Sequence, residues 1–93
     1  MENAVVLLKV DQNRIDAIAD RISRLPGVDQ VHAVAGIYDL VALIKATTAE
    51  GVDNLVNRHM AKISGVHEAH TLAAERTFTR RDVDPLYSGG LGP

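Results

Sequence analysis

Apolar and polar positions along the chain alternate between two periods. "NAVVLLKV" (3–10) is a run rich in β-branched residues and predicts a strand. Ile15, Ile18, Ala19, Ile22 and Leu25 then recur at three- and four-residue intervals with Asp16, Asp20, Arg21 and Arg24 between them. That spacing predicts an amphipathic helix stopped by Pro26-Gly27. "VDQVHAVAG" (28–36) and "DLVALIKA" (39–46) predict two strands with room between them only for a tight turn, hence an antiparallel hairpin. Thr47-Thr48-Ala49-Glu50 has the form of a capping box. The helix it opens carries Val52, Leu55, Val56, Met60 and Ile63 on one stripe, tolerates Gly51 at a cost of about 1 kcal/mol, and ends before Gly65. "VHEAHTLAAERTF" (66–78) predicts a fourth strand.

An internal echo fixes the order of these pieces. "LPGVDQVHAVAG" (25–36) aligns without gaps on "ISGVHEAHTLAA" (63–74), sharing Gly, Val, His and Ala, and the same offset sets Ile18 and Ile22 on Val56 and Met60. Two strand–helix–strand halves with right-handed crossovers give an α+β, ferredoxin-like βαββαβ fold. Its expected four-stranded antiparallel sheet runs 4-1-3-2 with both helices on one face. Residues 1–78 form this domain, and 79–93, without period and rich in Gly and Pro, form a tail or arm.

Strand alternation turns Val6, Leu8, Val10, Val31, Ala33, Ala35, Leu40, Ala42, Ile44, Ala69, Thr71 and Ala73 toward the helices. The other face then carries Val5, Leu7, His32, Val34, Val41, Leu43, His70 and Leu72. Six aliphatic side chains on one bare sheet exceed what a soluble monomer usually exposes. A two-fold dimer with sheet against sheet, through Val5, Leu7, His32, Val34, Val41 and Leu43, is the simplest arrangement that covers them.

Composition narrows the chemistry. At 93 residues a monomer buries only roughly 60 to 65 per cent of its unfolded surface, and with 3% aromatic residues its core must be aliphatic. The absence of cysteine excludes disulfides and thiolate metal sites. Ten Lys and Arg against 12 Asp and Glu, with no like-charge block longer than Arg80-Arg81, is not the footprint of a nucleic-acid binder. The longest apolar runs are five residues, and Glu2 and Lys9 are unlike a signal peptide, so no membrane span is expected and the location read is cytoplasmic. No paired carboxylates, serine–histidine arrangement or phosphate-cradling glycine loop stands out, and "SGGLG" follows no strand, so no catalytic residue, cofactor or metal is expected.

Asp39 is the exception in an otherwise aliphatic strand entry. Its parity matches Val41 and Leu43, which sets it on the rim of the bare face beside a glycine-containing turn. A carboxylate next to backbone N–H groups suits a zwitterion; it equally suits a side chain that caps the hairpin. His32 and His70 are repeat-equivalent on that face but belong to opposite edge strands, and they read as polar members of an interface. His59 falls on the apolar stripe of the second helix and His67 follows a turn.

"VAGIYDLVALI" and "ISGVHEAHTLAA" together resemble the ligand-binding domain of the Lrp/AsnC regulators, the RAM domain, and the resemblance covers roughly residues 3–75. It implies dimerisation through the sheet, higher assembly into rings or octamers, and an amino-acid effector bound where subunits meet. It implies a pocket of Gly36, Ile37, Tyr38 and Asp39 completed by His70, Thr71 and Leu72 from a neighbour. Regulators of the family carry a helix-turn-helix before this domain. The first strand here starts at residue 3, which matches the stand-alone class, with no direct DNA binding expected and co-assembly with a full-length regulator as its route to transcription. Two other users of this topology compete. Dimeric α+β-barrel monooxygenases and isomerases need aromatic walls and a buried polar catalyst between sheet and helices. The ACT domain has an Asp-x-Pro-Gly-like turn after its first strand that "VDQNRI" lacks.

Overall fold

The computed structural model describes residues 1–80. Its four strands are β1 (Glu2–Val10), β2 (Val28–Ala33), β3 (Leu40–Ala46) and β4 (Val66–Ala73). Helix α1 (Ile15–Ser23) follows a 3-10 turn at Gln12–Arg14, and α2 (Ala49–Asn54) runs on as a π turn over Leu55–Met60. The strands form one antiparallel sheet in the order β2-β3-β1-β4, the α+β ferredoxin-like arrangement the sequence predicts. The predicted arm lies, from residue 81 onward, outside the described residues.

Period-two burial is sharpest on the central strands. Ala4, Val6, Leu8 and Val10 alternate with half-buried Val5, Leu7 and Lys9, and Leu40, Ala42 and Ile44 do the same with Val41 and Leu43. Ile18 and Ile22 of α1, together with Val52, Leu55, Val56, Met60 and Ile63, close the core from one side. The space between sheet and helices is thus filled by aliphatic side chains, and among the described residues no polar or charged residue is buried there.

Three local readings change. Thr48, not Thr47, is the N-cap of α2: its Oγ1 accepts the Gly51 N–H at 3.0 Å, which moves Glu50 one place short of the reciprocal capping position. The π turn, closed by Ala61 N–H to Val56 O at 2.8 Å, holds Met60 in the core and leaves His59 exposed rather than on the apolar stripe. Strands β2 and β4 end at Ala33 and Ala73, short of the predicted residues 36 and 78. Each strand ends on one further backbone bond, Val34 N–H to Asp39 O at 3.0 Å and Ala74 N–H to Asn3 O at 2.9 Å, and no ladder pair continues past Ala33–Leu40 or Ala73–Ala4.

The sequence echo is a structural echo. Gly27 and Gly65 follow the two helical segments with φ of 98° and 96°, values an L side chain rarely adopts. The Gly27 carbonyl accepts from Lys45 N–H at 2.8 Å and the Gly65 carbonyl from Asp11 N–H at 2.9 Å. Just after each glycine an edge strand bulges: Asp29 is the extra residue between Val28 and Gln30, and its repeat-equivalent His67 is the extra residue opposite Lys9 and Val10. Asp29 pairs with Lys45 at 3.4 Å, and His67 pairs with Asp11. Each bulge therefore aims a polar side chain at one end of the sheet.

Candidate functional site

The bare face has an aliphatic centre and polar ends. Leu7 lies between Val41 and His70 in the register, and Val5 between Leu43 and Leu72, so these six side chains share one face. Val5, Leu7, Val41 and Leu43 are half-buried, whereas Leu72 is 54% exposed. On the outer strand β2, His32 is exposed, its Nε2 lying 3.1 Å from Gln30 Oε1. Val34 lies just past the end of β2 and is exposed.

Where β1 ends and β3 begins, the turn places its residues in different ways. Gly36, with φ of 134°, and Ile37, 79% exposed, form the outer tip. Tyr38 folds back onto the sheet, its ring edge-on to His70 with centroids 5.9 Å apart, and Lys9 Nζ stands 5.8 Å from the same ring centroid. Glu68 lies opposite Lys9 on β4, with 3.9 Å between Lys9 Nζ and Glu68 Oε2 and 3.4 Å between that oxygen and His70 Nε2. These contacts set a cation, a carboxylate, an imidazole and a phenol ring around one end of the face.

Asp39 closes the corner. Its Oδ2 accepts the Val10 N–H at 2.9 Å and its Oδ1 accepts Gln12 Nε2, while its own N–H donates to Leu8 O at 2.9 Å and its carbonyl accepts the Val34 N–H at 3.0 Å. The carboxylate thereby extends the β1–β3 ladder by one rung past the Leu8–Leu40 pair, in place of a backbone carbonyl. It also ties down Gln12, which opens a 3-10 turn with no buried residues of its own.

Of the residues read from the sequence, the structure gathers Tyr38 and His70 within one subunit. It separates Thr71 from them, because Thr71 pairs with Val6 and therefore faces the helix side, whereas His70 and Leu72 face away from it. Lys9, Gln12 and Glu68 belong to this corner and were not picked out. The signal for Lys9 and Glu68 was available, since both share the parity of Leu7 and His70; that for Gln12 was not, because its bond to Asp39 spans 27 residues. Among the described residues no cluster of three His, Asp or Glu could hold a metal ion, and no helix is long and apolar enough to cross a membrane.

Comparison with known proteins bears on this geometry. The family model of the Lrp/AsnC ligand binding domain matches residues 3–83. An uncharacterised HTH-type transcriptional regulator of Pyrococcus horikoshii is 37% identical over 57 residues, which cover 61% of this chain and 38% of that protein. The chain spans only that 38% of the length of the first curated relatives it matches. The crystal structure of a Thermus thermophilus protein, TTHA0845, is similar along its full length: 38% identical, TM-score 0.81, covering 86% of this chain and 100% of that one. A feast or famine regulatory protein from M. tuberculosis, complexed with L-methionine, shares the fold at 20% identity and TM-score 0.73, over 88% of this chain and 55% of that one. With a family model spanning residues 3–83 and the sheet order, helix placement and strand-entry turn described above, the chain belongs to the Lrp/AsnC ligand binding domain family.

Proposed function

We propose that this chain is a cytoplasmic, non-enzymatic regulatory module that pairs through the bare face of its sheet and responds to a free amino acid held at the Gly36–Asp39 corner. The observation that carries the reading is the face itself: an aliphatic centre of Val5, Leu7, Val41 and Leu43 with a polar corner at its rim. A second copy set face to face buries the centre and leaves the corner at the seam, where a ligand touches both subunits. The L-methionine complex of the M. tuberculosis fold neighbour supports an amino acid as effector. At the corner, Asp39 is the anion for an α-ammonium, Lys9 the cation for an α-carboxylate, and Tyr38 with His70 a wall for the side chain. Gly36 and Ile37 form the lip, with Leu72 on the same face; Thr71, on the far side of its strand, takes part only through backbone groups.

Dimers assemble further into a ring or octamer, and transcription is reached by co-assembly with a full-length Lrp/AsnC regulator. With a formal net charge of −2 the module makes no sequence-specific contact to duplex DNA itself. A thermal-shift screen against the twenty amino acids, with light scattering alongside, tests the reading. The expected result is an oligomer stabilised by at least one amino acid; a millimolar dissociation constant corresponds to about 4 kcal/mol of binding free energy, so ligand well above that constant is supplied. A well-folded monomer indifferent to all twenty would overturn it.

A further inference from the structure

On the helix side of the sheet, α2 and the turn before β2 flank an open groove of about 290 Å³, lined by Pro26, Gly51, Asn54, Leu55 and His59. That is just below the ~300 Å³ at which small-molecule clefts begin, so the groove suits one inserted side chain better than a whole ligand. Its making is visible in the backbone. The π turn over Leu55–Met60 takes His59 off the core stripe and turns it outward to the groove, an irregularity that recurs at functional positions of helices. Gly51 adds no side chain to fill the space. Among the described residues, three of the four histidines have a side-chain partner, His32 with Gln30, His67 with Asp11 and His70 with Glu68, and His59 has none.

The chain also carries a knob without a hole. Phe78, its only phenylalanine, is 86% exposed, the most exposed of the large apolar side chains among the described residues. Thr77 and Thr79 on either side of it line a hollow with Asn3, Val5 and Leu43, so the chain after β4 lies against the bare face while the phenyl ring stands clear of it. The Arg76 guanidinium lies 5.9 Å from the ring centroid. Knob and groove therefore occupy opposite sides of the sheet, and in this arrangement Phe78 does not reach the groove of its own chain.

We propose that Phe78 of one subunit inserts into the Pro26–Leu55–His59 groove of a second copy. Pro26 and Leu55 supply the apolar walls and His59 an aromatic edge, while the phenyl ring leaves water. Because two different patches meet, the contact is heterologous: repeated, it closes a ring or runs on as a filament. One phenylalanine buries only ~150–250 Å², far below the roughly 1,200 Å² of a stable interface. The contact therefore rests on the sheet-to-sheet pairing proposed above and joins pairs rather than single subunits. Each pair offers two knobs and two grooves, and contacts made together reinforce one another.

Sedimentation velocity over a range of protein concentrations makes the test. The unmutated chain is expected to form species larger than a dimer. Phe78→Ser and, separately, Asn54→Trp, which fills the groove from an exposed position, should raise the concentration those species need by about tenfold or more, with dimers intact and the circular dichroism spectrum unchanged. Phe78→Leu, which keeps an apolar knob, should raise it less. Phe78 is exposed, so its variants fold even where Asn54→Trp does not. Larger species that survive Phe78→Ser overturn the proposal, as does an unmutated chain that never exceeds a dimer; both results leave the sheet pairing standing. A loss of thermal stability in Phe78→Ser that is independent of protein concentration, with assembly unchanged, also overturns it, since the phenyl ring would then be filling its own groove. An unmutated chain that is monomeric throughout removes the sheet pairing and this contact with it.

Discussion

Asp39 has one duty that the geometry shows and a second that we propose, and one substitution can separate them. Its Oδ2 holds the Val10 N–H and its Oδ1 holds Gln12, so the carboxylate is already a structural rung before any ligand arrives. Each carboxylate oxygen keeps a second lone pair, so an incoming ammonium can add to these bonds or displace the Gln12 amide. Asp39→Asn keeps the size and one acceptor oxygen but loses the charge. Fold and assembly should survive with a loss of about 1 kcal/mol, while affinity for the amino acid bound at the corner falls by about 1.5 to 3 kcal/mol, the scale of a charge-assisted bond. Calorimetric titration beside a denaturation curve reads both. Lowered stability with unchanged affinity would leave Asp39 a rung and nothing more. The sequence told that a carboxylate guards the entry to β3, because parity and the neighbouring turn are local; it could not tell that the partner is the end of β1, because that pairing is made by the sheet.

Elements carry the repeat, and the repeat was legible where it was built from local signals. Gly27 and Gly65 align in the sequence and adopt the same left-handed conformation, each accepting one backbone bond from the strand end beside it. Their surroundings differ. A Cβ on Gly65 would come within 2.7 Å of Ile18 Cδ1, the tip of a fully buried side chain, while one on Gly27 would meet the Lys45 carbonyl at 3.0 Å. Both Gly→Ala changes are therefore expected to destabilise beyond the ~1 kcal/mol cost of a left-handed alanine, as urea midpoints would register. A midpoint that does not move for either would mean that the turn relaxes. Thr48→Ala removes the cap of α2 and should cost about 1 kcal/mol, whereas Thr47→Ala should cost little; equal effects would return the cap to the position the capping box predicts. Strand ends were the least legible feature, since Val34, Ala35 and residues 74–78 have strand-like composition, and where the ladder stops, after single bonds from Val34 to Asp39 and from Ala74 to Asn3, depends on a partner strand distant in sequence.

At the scale of the molecule the question is what lies on the bare face. The core side is complete: Val6 and Leu8 are fully buried under the helices, and Val6→Glu places a charge among aliphatic side chains at a cost of several kcal/mol. That variant should not fold, whatever the oligomeric state. Leu7 is its neighbour in sequence and its opposite in orientation, flanked by Val41 and His70 on the face turned away from the helices. In an isolated subunit a glutamate at position 7 can reach water, so Leu7→Glu should keep its circular dichroism spectrum. In a sheet-to-sheet dimer it would bury a carboxylate from each subunit at an aliphatic contact, and light scattering should report dissociation to a folded monomer. Leu43→Glu, paired with Val5 farther along the same face, should act likewise. Folded Leu7→Glu protein that keeps the assembly size of the unmutated chain would show that the contact lies elsewhere, and the proposed amino-acid corner would then need a different neighbour to complete it.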